Sequence, residues 1–143
     1  MSLVDYEALV RSFHRKYGHL IQYSPNVHVL KEVKELRMKL IQEECDQELL
    51  PALDSYDISE IADGAADLIY VVVGTCISYG IPINRIFREV HYSNMTKTPV
   101  KAENGQKYGT KTPKGPDYIP PDIKGILEHP ELKTKLEEKY DSV

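Results

Sequence analysis

The stretch "LIYVVVGTCI", residues 68–77, is apolar on every side of a helix, and this limits the possible folds more than any other feature of the chain. A helix with no face left for water must run through the centre of a bundle or lie in a contact between copies. Its ends are written around it. Asp57 is placed to cap the start, with Glu60 at the third position in a capping-box arrangement, and Gly80 in "SYG" supplies the stop. The run Val71, Val72, Val73 is compatible with a strand, but the length of the apolar-periodic segment and its flanking caps favour a helix.

The same periodicity extends to either side. Tyr6, Leu9, Val10, Phe13 and Tyr17 recur at helical spacing before Gly18. A second helix covers about residues 28–50, with Val29, Val33, Leu36 and Leu40 on one stripe, and is expected to end before Pro51. Pro82 suits the first turn of a fourth, with Ile83, Ile86, Phe87 and Val90 as its core residues. In a chain of 143 residues this predicts one all-α domain, a helical bundle spanning 1–143. Residues 96–121, which include "KYGTKTPKGPDYIPP", form an irregular Lys/Gly/Pro-rich segment, functionally placed or mobile. Residues 122–143 add a C-terminal helical extension, with one piece from Asp122 and a charged one from Pro130 to Tyr140.

A net charge of −4 and a pI near 5.7 argue against nucleic-acid binding by bulk positive charge, so a small-molecule partner is expected. The N-terminus lacks a basic head with an apolar h-region, and no apolar run approaches the roughly 20 residues that span a membrane. A soluble cytoplasmic protein is the expectation. Cys45 and Cys76 both fall within predicted helices, which suggests reduced core thiols, and no zinc-type spacing is present.

Residues 43–67 hold nine acidic residues inside helices that otherwise read as buried. At about 100° per residue, Val29, Val33 and Leu36 lie within roughly 40° of Leu40, and Glu44 and Gln47 fall in the same sector with Glu43 and Glu48 flanking them. On the third helix Glu60, Asp63 and Asp67 share one face, close to Tyr70, while Ile61, Ala65, Leu68 and Val72 share another. The short "PALDSYD" link predicts antiparallel packing, which brings the two acidic faces together. Ionised carboxylates at close range repel and need a positive partner. Arg37 is the one inward-facing basic neighbour, so a divalent cation bound by oxygen, Mg²⁺ or Mn²⁺, is the better candidate. The plainer alternatives are a capping role for Glu60 and a solvated helix face for Glu43, Asp46 and Glu48. A bundle di-iron site would need a His three residues beyond a Glu, and those positions hold Gln47 and Asp63.

With "EECDQ" at 43–47 and "EIAD" at 60–63, the chain resembles the MazG-like all-α nucleoside triphosphate pyrophosphohydrolases, whose signature is EExxE followed by ExxD. It is most similar to the phosphoribosyl-ATP pyrophosphohydrolase-like group, which also shows "DGAADLIYVVVGT" and "EVHYSNMTK" in similar form, and the resemblance covers about residues 5–127. It implies Mg²⁺-dependent hydrolysis of a (deoxy)nucleoside triphosphate to the monophosphate and pyrophosphate, in nucleotide-pool house-cleaning. The alternatives are phosphoribosyl-ATP as substrate, or a non-catalytic helical assembly or regulatory module. By resemblance Glu44, Glu60 and Asp63 are metal ligands, and Glu43 is a further ligand or the base that orients water. Gln47 replaces the last Glu of EExxE, so the fourth ligand is its amide oxygen or Glu48. Asp67 and Tyr70 would hold the nucleoside, and Asn94 and Lys97 the nucleotide or its phosphates. A homodimer or homotetramer without nucleic-acid or membrane partners is expected, because "LIYVVVGTCI" has more apolar circumference than one short chain can cover.

Overall fold

The computed structural model describes residues 3–99 and 108–141, and these form helices and irregular segments with no strand among them. The chain is divided into two compact units, Met1–Asn84 and Arg85–Val143.

In the first unit α1 spans Tyr6–Tyr17, with the Asp5 side chain accepting from the Ala8 N–H at its start. Gly18 ends it in the left-handed region (φ 73°), donating its N–H to the His14 carbonyl. Helix α2 (Lys31–Gln42) runs without a break into a π-helical segment, Glu43–Leu49, and then α3, Leu50–Ser55. The expected stop before Pro51 is therefore corrected. Leu50 donates its N–H five residues back to the Cys45 carbonyl, and Pro51 stands in the first turn of α3. The ladder changes register where the one residue without an N–H sits, so proline costs little.

Helix α4 spans Ile58–Ser78. Asp57 caps it through the Ser59 and Glu60 N–H groups, as expected, but the Asp57 N–H goes to Ser55 Oγ at 3.1 Å. Glu60 therefore does not close the expected capping box. Gly80 (φ 70°) follows the helix end. The α2–π run packs antiparallel on α4: Arg37 meets Val71 and Thr75, while Leu49 meets Gly64. A Cβ on Gly64 would stand 3.1 Å from Leu49 Cα, so the missing side chain allows this approach.

Val10, Val73 and Ile77 form the core of this unit, with Ile21 and Ile83 packed against it. The expected stripe on α2 is turned from its predicted position, with Val29, Val33 and Leu40 half-buried, Leu36 exposed and Arg37 buried instead. Gly74 makes this possible, since a Cβ there would come within 2.6 Å of Arg37 Nη2 and 2.9 Å of His14 Nε2.

At 21 residues, with mean hydropathy 1.5 over its most apolar stretch, α4 is long and apolar enough to cross a membrane by length and composition, which corrects the expectation that no run comes near. The core helix of a soluble protein passes the same test. Within the chain only 28% of that stretch is buried, and Ile69, Tyr70 and Val72 remain exposed.

Helix α5 (Ile83–Asn94) contributes all but its first two residues to the second unit. Its buried residues are Glu89 and Ser93, and Ile83 and Ile86 are half-buried, whereas Phe87 is 71% exposed and Val90 37%, so the expected apolar core is corrected for these last two. Glu89 accepts from the Asp122 N–H and Thr134 Oγ1, and Ser93 Oγ donates to the Ile119 carbonyl. Thr96 Oγ1 accepts the Ile119 N–H. These bonds tie the described part of the irregular segment to α5. Short helices α6 (Ile123–Glu128) and α7 (Lys135–Tyr140) follow, the second opened by a capping box between Thr134 and Glu137. Residues 100–107 of the expected basic segment lie outside the described residues.

Candidate functional site

The acidic motif lies on the π-helical segment and the first three turns of α4. A π-turn holds roughly 4.4 residues against 3.6 in an α-turn. Measured from Glu44, this swings Gln47 from about 60° to roughly 115° away and leaves Glu48 within about 40°. Gln47 and Glu48 are both exposed. The sector shared by Glu44 and Gln47 in an ideal α-helix is thus split, and Glu48 takes the side next to Glu44.

Glu44 is half-buried. Its burial, followed by the carboxylates of Asp67, Glu48, Glu43 and Asp63, raises its pKa above the usual carboxylate value. The two acidic faces do meet, as the antiparallel packing requires. Glu60, Asp63 and Asp67 are all exposed on α4, and Glu60 is not among the charges that act on Glu44. Lys39 approaches Glu43 to 3.9 Å, but both side chains are largely in water and the pair does little.

Arg37, the expected positive neighbour, is directed away from this cluster. Its Nε donates to Thr75 Oγ1 at 3.1 Å and its Nη2 to the Val71 carbonyl at 2.9 Å. Burial lowers its pKa, with Cys76 acting in the opposite direction. Burial also raises that of the Cys76 thiol; Cys45 and Cys76 are both free and half-buried.

Hard oxygen donors repelling one another without a cation suit Mg²⁺ or Mn²⁺ by their chemistry. Among the described residues, though, no three His, Cys, Asp or Glu side chains are positioned as a closed ligand set. Tyr70 is 40% exposed and its ring meets Phe13 edge-on at 5.5 Å. Asn94 and Lys97 belong to the second unit, where Asn94 ends α5 exposed and its carbonyl accepts the Lys97 N–H at 3.1 Å.

Sequence reasoning missed three features of this site: the π register, the close approach at Gly64, and the burial of His14 beside the inward-facing Arg37 at Gly74. For the first two the available signal was "EECDQELLP", where a proline follows a long acidic helix with no cap before it, and the small residues of "DGAAD".

The antiparallel α-helical unit with its opposed carboxylates falls within the part of the chain that a known family matches. The family described as Phosphoribosyl-ATP pyrophosphohydrolase matches residues 10–94, more than half of the chain. The chain belongs to that family, part of the MazG-like all-α NTP pyrophosphatase superfamily, whose members are pyrophosphohydrolases acting on phosphoric anhydrides. No curated protein matches it.

Proposed function

We propose that the chain hydrolyses the α–β anhydride of a triphosphate carried on a nucleoside, releasing pyrophosphate and the monophosphate, with phosphoribosyl-ATP as the first substrate to test. The family match favours that substrate over the general nucleotide-pool reading. The observation that carries the reaction is the Glu44 carboxylate, half-buried among four others with no basic side chain turned toward it.

Bound Mg²⁺ or Mn²⁺ supplies the positive charge that offsets the phosphate oxygens. Glu44, Glu60 and Asp63 would hold it, and the π register favours Glu48 over the Gln47 amide for the fourth position. Glu43 orients the attacking water and takes its proton. No covalent nucleophile is needed, because water attacks phosphorus and pyrophosphate leaves. Asp67 and Tyr70 hold the nucleoside. The exposed Tyr6, Leu9, Ile69 and Val72 on α1 and α4 support a homodimer or homotetramer, which sedimentation at micromolar concentration tests.

A second reading, an unmodified (deoxy)nucleoside triphosphate as substrate, rests on "DGAADLIYVVVGT" and "EVHYSNMTK". Pyrophosphate release from phosphoribosyl-ATP and a panel of nucleoside triphosphates, with and without Mg²⁺, separates the two. Turnover of neither, with no Mg²⁺ binding, would leave a non-catalytic helical module.

A further inference from the structure

The helical run from Lys31 to Ser55 has no break, and Pro51 stands well inside it. In an α-helix a proline there would leave the Gln47 carbonyl, four residues back, without its donor, and the pyrrolidine ring would press against that oxygen. The chain avoids both by changing register. Glu43–Leu49 is π-helical, and the Leu50 N–H bonds the Cys45 carbonyl in place of the Asp46 carbonyl that an α-helix would offer it. Pro51 is exposed, so its ring is not there to fill the core, and its effect passes through the backbone. The contact of Leu49 with Gly64 fixes how close the segment comes to α4, whereas the missing donor at Pro51 acts on the hydrogen-bond ladder itself.

The register decides which side chain stands beside Glu44. At 3.6 residues per turn Gln47 lies about 60° to one side of Glu44 and Glu48 about 40° to the other. With roughly 4.4 residues per turn Gln47 is carried on to about 115°, and Glu48 crosses to the side Gln47 has left, still within about 40° of Glu44. The wide turns thus exchange a neutral amide for a carboxylate, and Glu48 is among the charges that act on Glu44.

We propose that Pro51 is a positioning residue: by withholding a donor it keeps Glu43–Leu49 in the π register, and so sets Glu48 on the side of Glu44 that Gln47 would otherwise occupy. This rests on the proposed hydrolysis for what the carboxylates hold, but the register itself can be read without metal or turnover.

The test begins with NMR on the metal-free full chain, reading the scalar coupling across the hydrogen bond of the Leu50 amide. In wild type the coupling should fall on the Cys45 carbonyl carbon. In Pro51→Ala, which restores the donor and removes the ring, it should move to the Asp46 carbonyl carbon. Mn²⁺ binding is then titrated. Pro51→Ala should weaken it by about tenfold or more with every carboxylate in place and the apo melting temperature equal or higher. Adding Gln47→Glu to Pro51→Ala should restore the affinity, because position 47 then stands beside Glu44. With Pro51 present, Glu48→Gln should weaken Mn²⁺ binding by a similar factor, and Gln47→Glu should fail to rescue it.

A Leu50 coupling that stays on Cys45 in Pro51→Ala overturns the proposal. So does a loss of affinity in Pro51→Ala that Gln47→Glu does not restore, or a rescue of Glu48→Gln by Gln47→Glu in a chain that keeps Pro51. Couplings that move as expected in a chain whose wild type binds no Mn²⁺ would overturn the proposed hydrolysis and keep the role of Pro51 in the register.

Discussion

Both units bury charge, but they treat it in opposite ways. In the second unit Arg85 donates to both oxygens of Glu137 at 2.9 Å and to the carbonyls of Pro130 and Leu132. Glu89, 1% exposed, has both oxygens occupied by Asp122 and Thr134. In the first unit Arg37 is buried without an anion, and Glu44 is held among carboxylates. Paired charges fix one arrangement of the chain, whereas charges without an opposite partner leave an affinity for something not in the chain. The contrast separates charges paired within the chain from charges that have no opposite partner among the described residues.

The strongest test of that division is Asp63→Asn. If the cluster exists for a metal, activity falls by orders of magnitude while the metal-free protein melts at the same temperature or higher, because a repelling charge has gone. The gain in melting temperature on adding Mg²⁺ should shrink in the variant. A less stable apo protein with activity retained would place Asp63 among the structural charges.

Arg85→Met makes the opposite cut. It leaves the Glu137 carboxylate, 3% exposed, with only the Thr134 N–H at 2.9 Å and the more distant Arg88 guanidinium at 3.9 Å, at an expected cost of up to about 3–5 kcal/mol seen in chemical denaturation. A loss below about 1 kcal/mol would show that the second unit does not depend on this pair.

Acid should act on the second unit in the same direction. The Arg85 hydrogen bonds bring the Glu137 pKa from 4.5 down to about 2, against the effect of burial. A depressed carboxylate pKa gives stability that is present above the unfolded value and lost as pH falls through the folded one. This contribution should therefore fade between pH 4.5 and about 2, and Arg85→Met should flatten that dependence. Unfolding followed across that range checks it.

The smallest expected effect is at Gly64→Ala, where the added methyl meets the Leu49 backbone at 3.1 Å. Overpacking of this kind costs about 1–3 kcal/mol. Because it forces the π-helical segment off α4, Mg²⁺ affinity should fall along with stability. Stability lost with Mg²⁺ affinity intact would detach the metal site from this helix contact.

The helices and most of their ends were legible in the chain, because the physics that sets them is local. Gly18 and Gly80 supply left-handed turns, Asp57 caps its own neighbours, and a sustained apolar period marks the helical stretches. So was the meeting of the acidic faces, since a short link between two long helices leaves antiparallel packing as the simple outcome. The tertiary structure decided the rest. Arg37 is buried by a hydroxyl 38 positions away and Glu89 by one 45 positions away. Periodicity turns Arg37 inward without naming its partners and leaves Glu89 off the core stripe, because it cannot count partners that distant. The π register was equally hidden, since a uniform 100° per residue carries an ideal α-helix up to its expected end before Pro51. Only the packing of Glu43–Leu49 against α4 shows which carboxylates stand together.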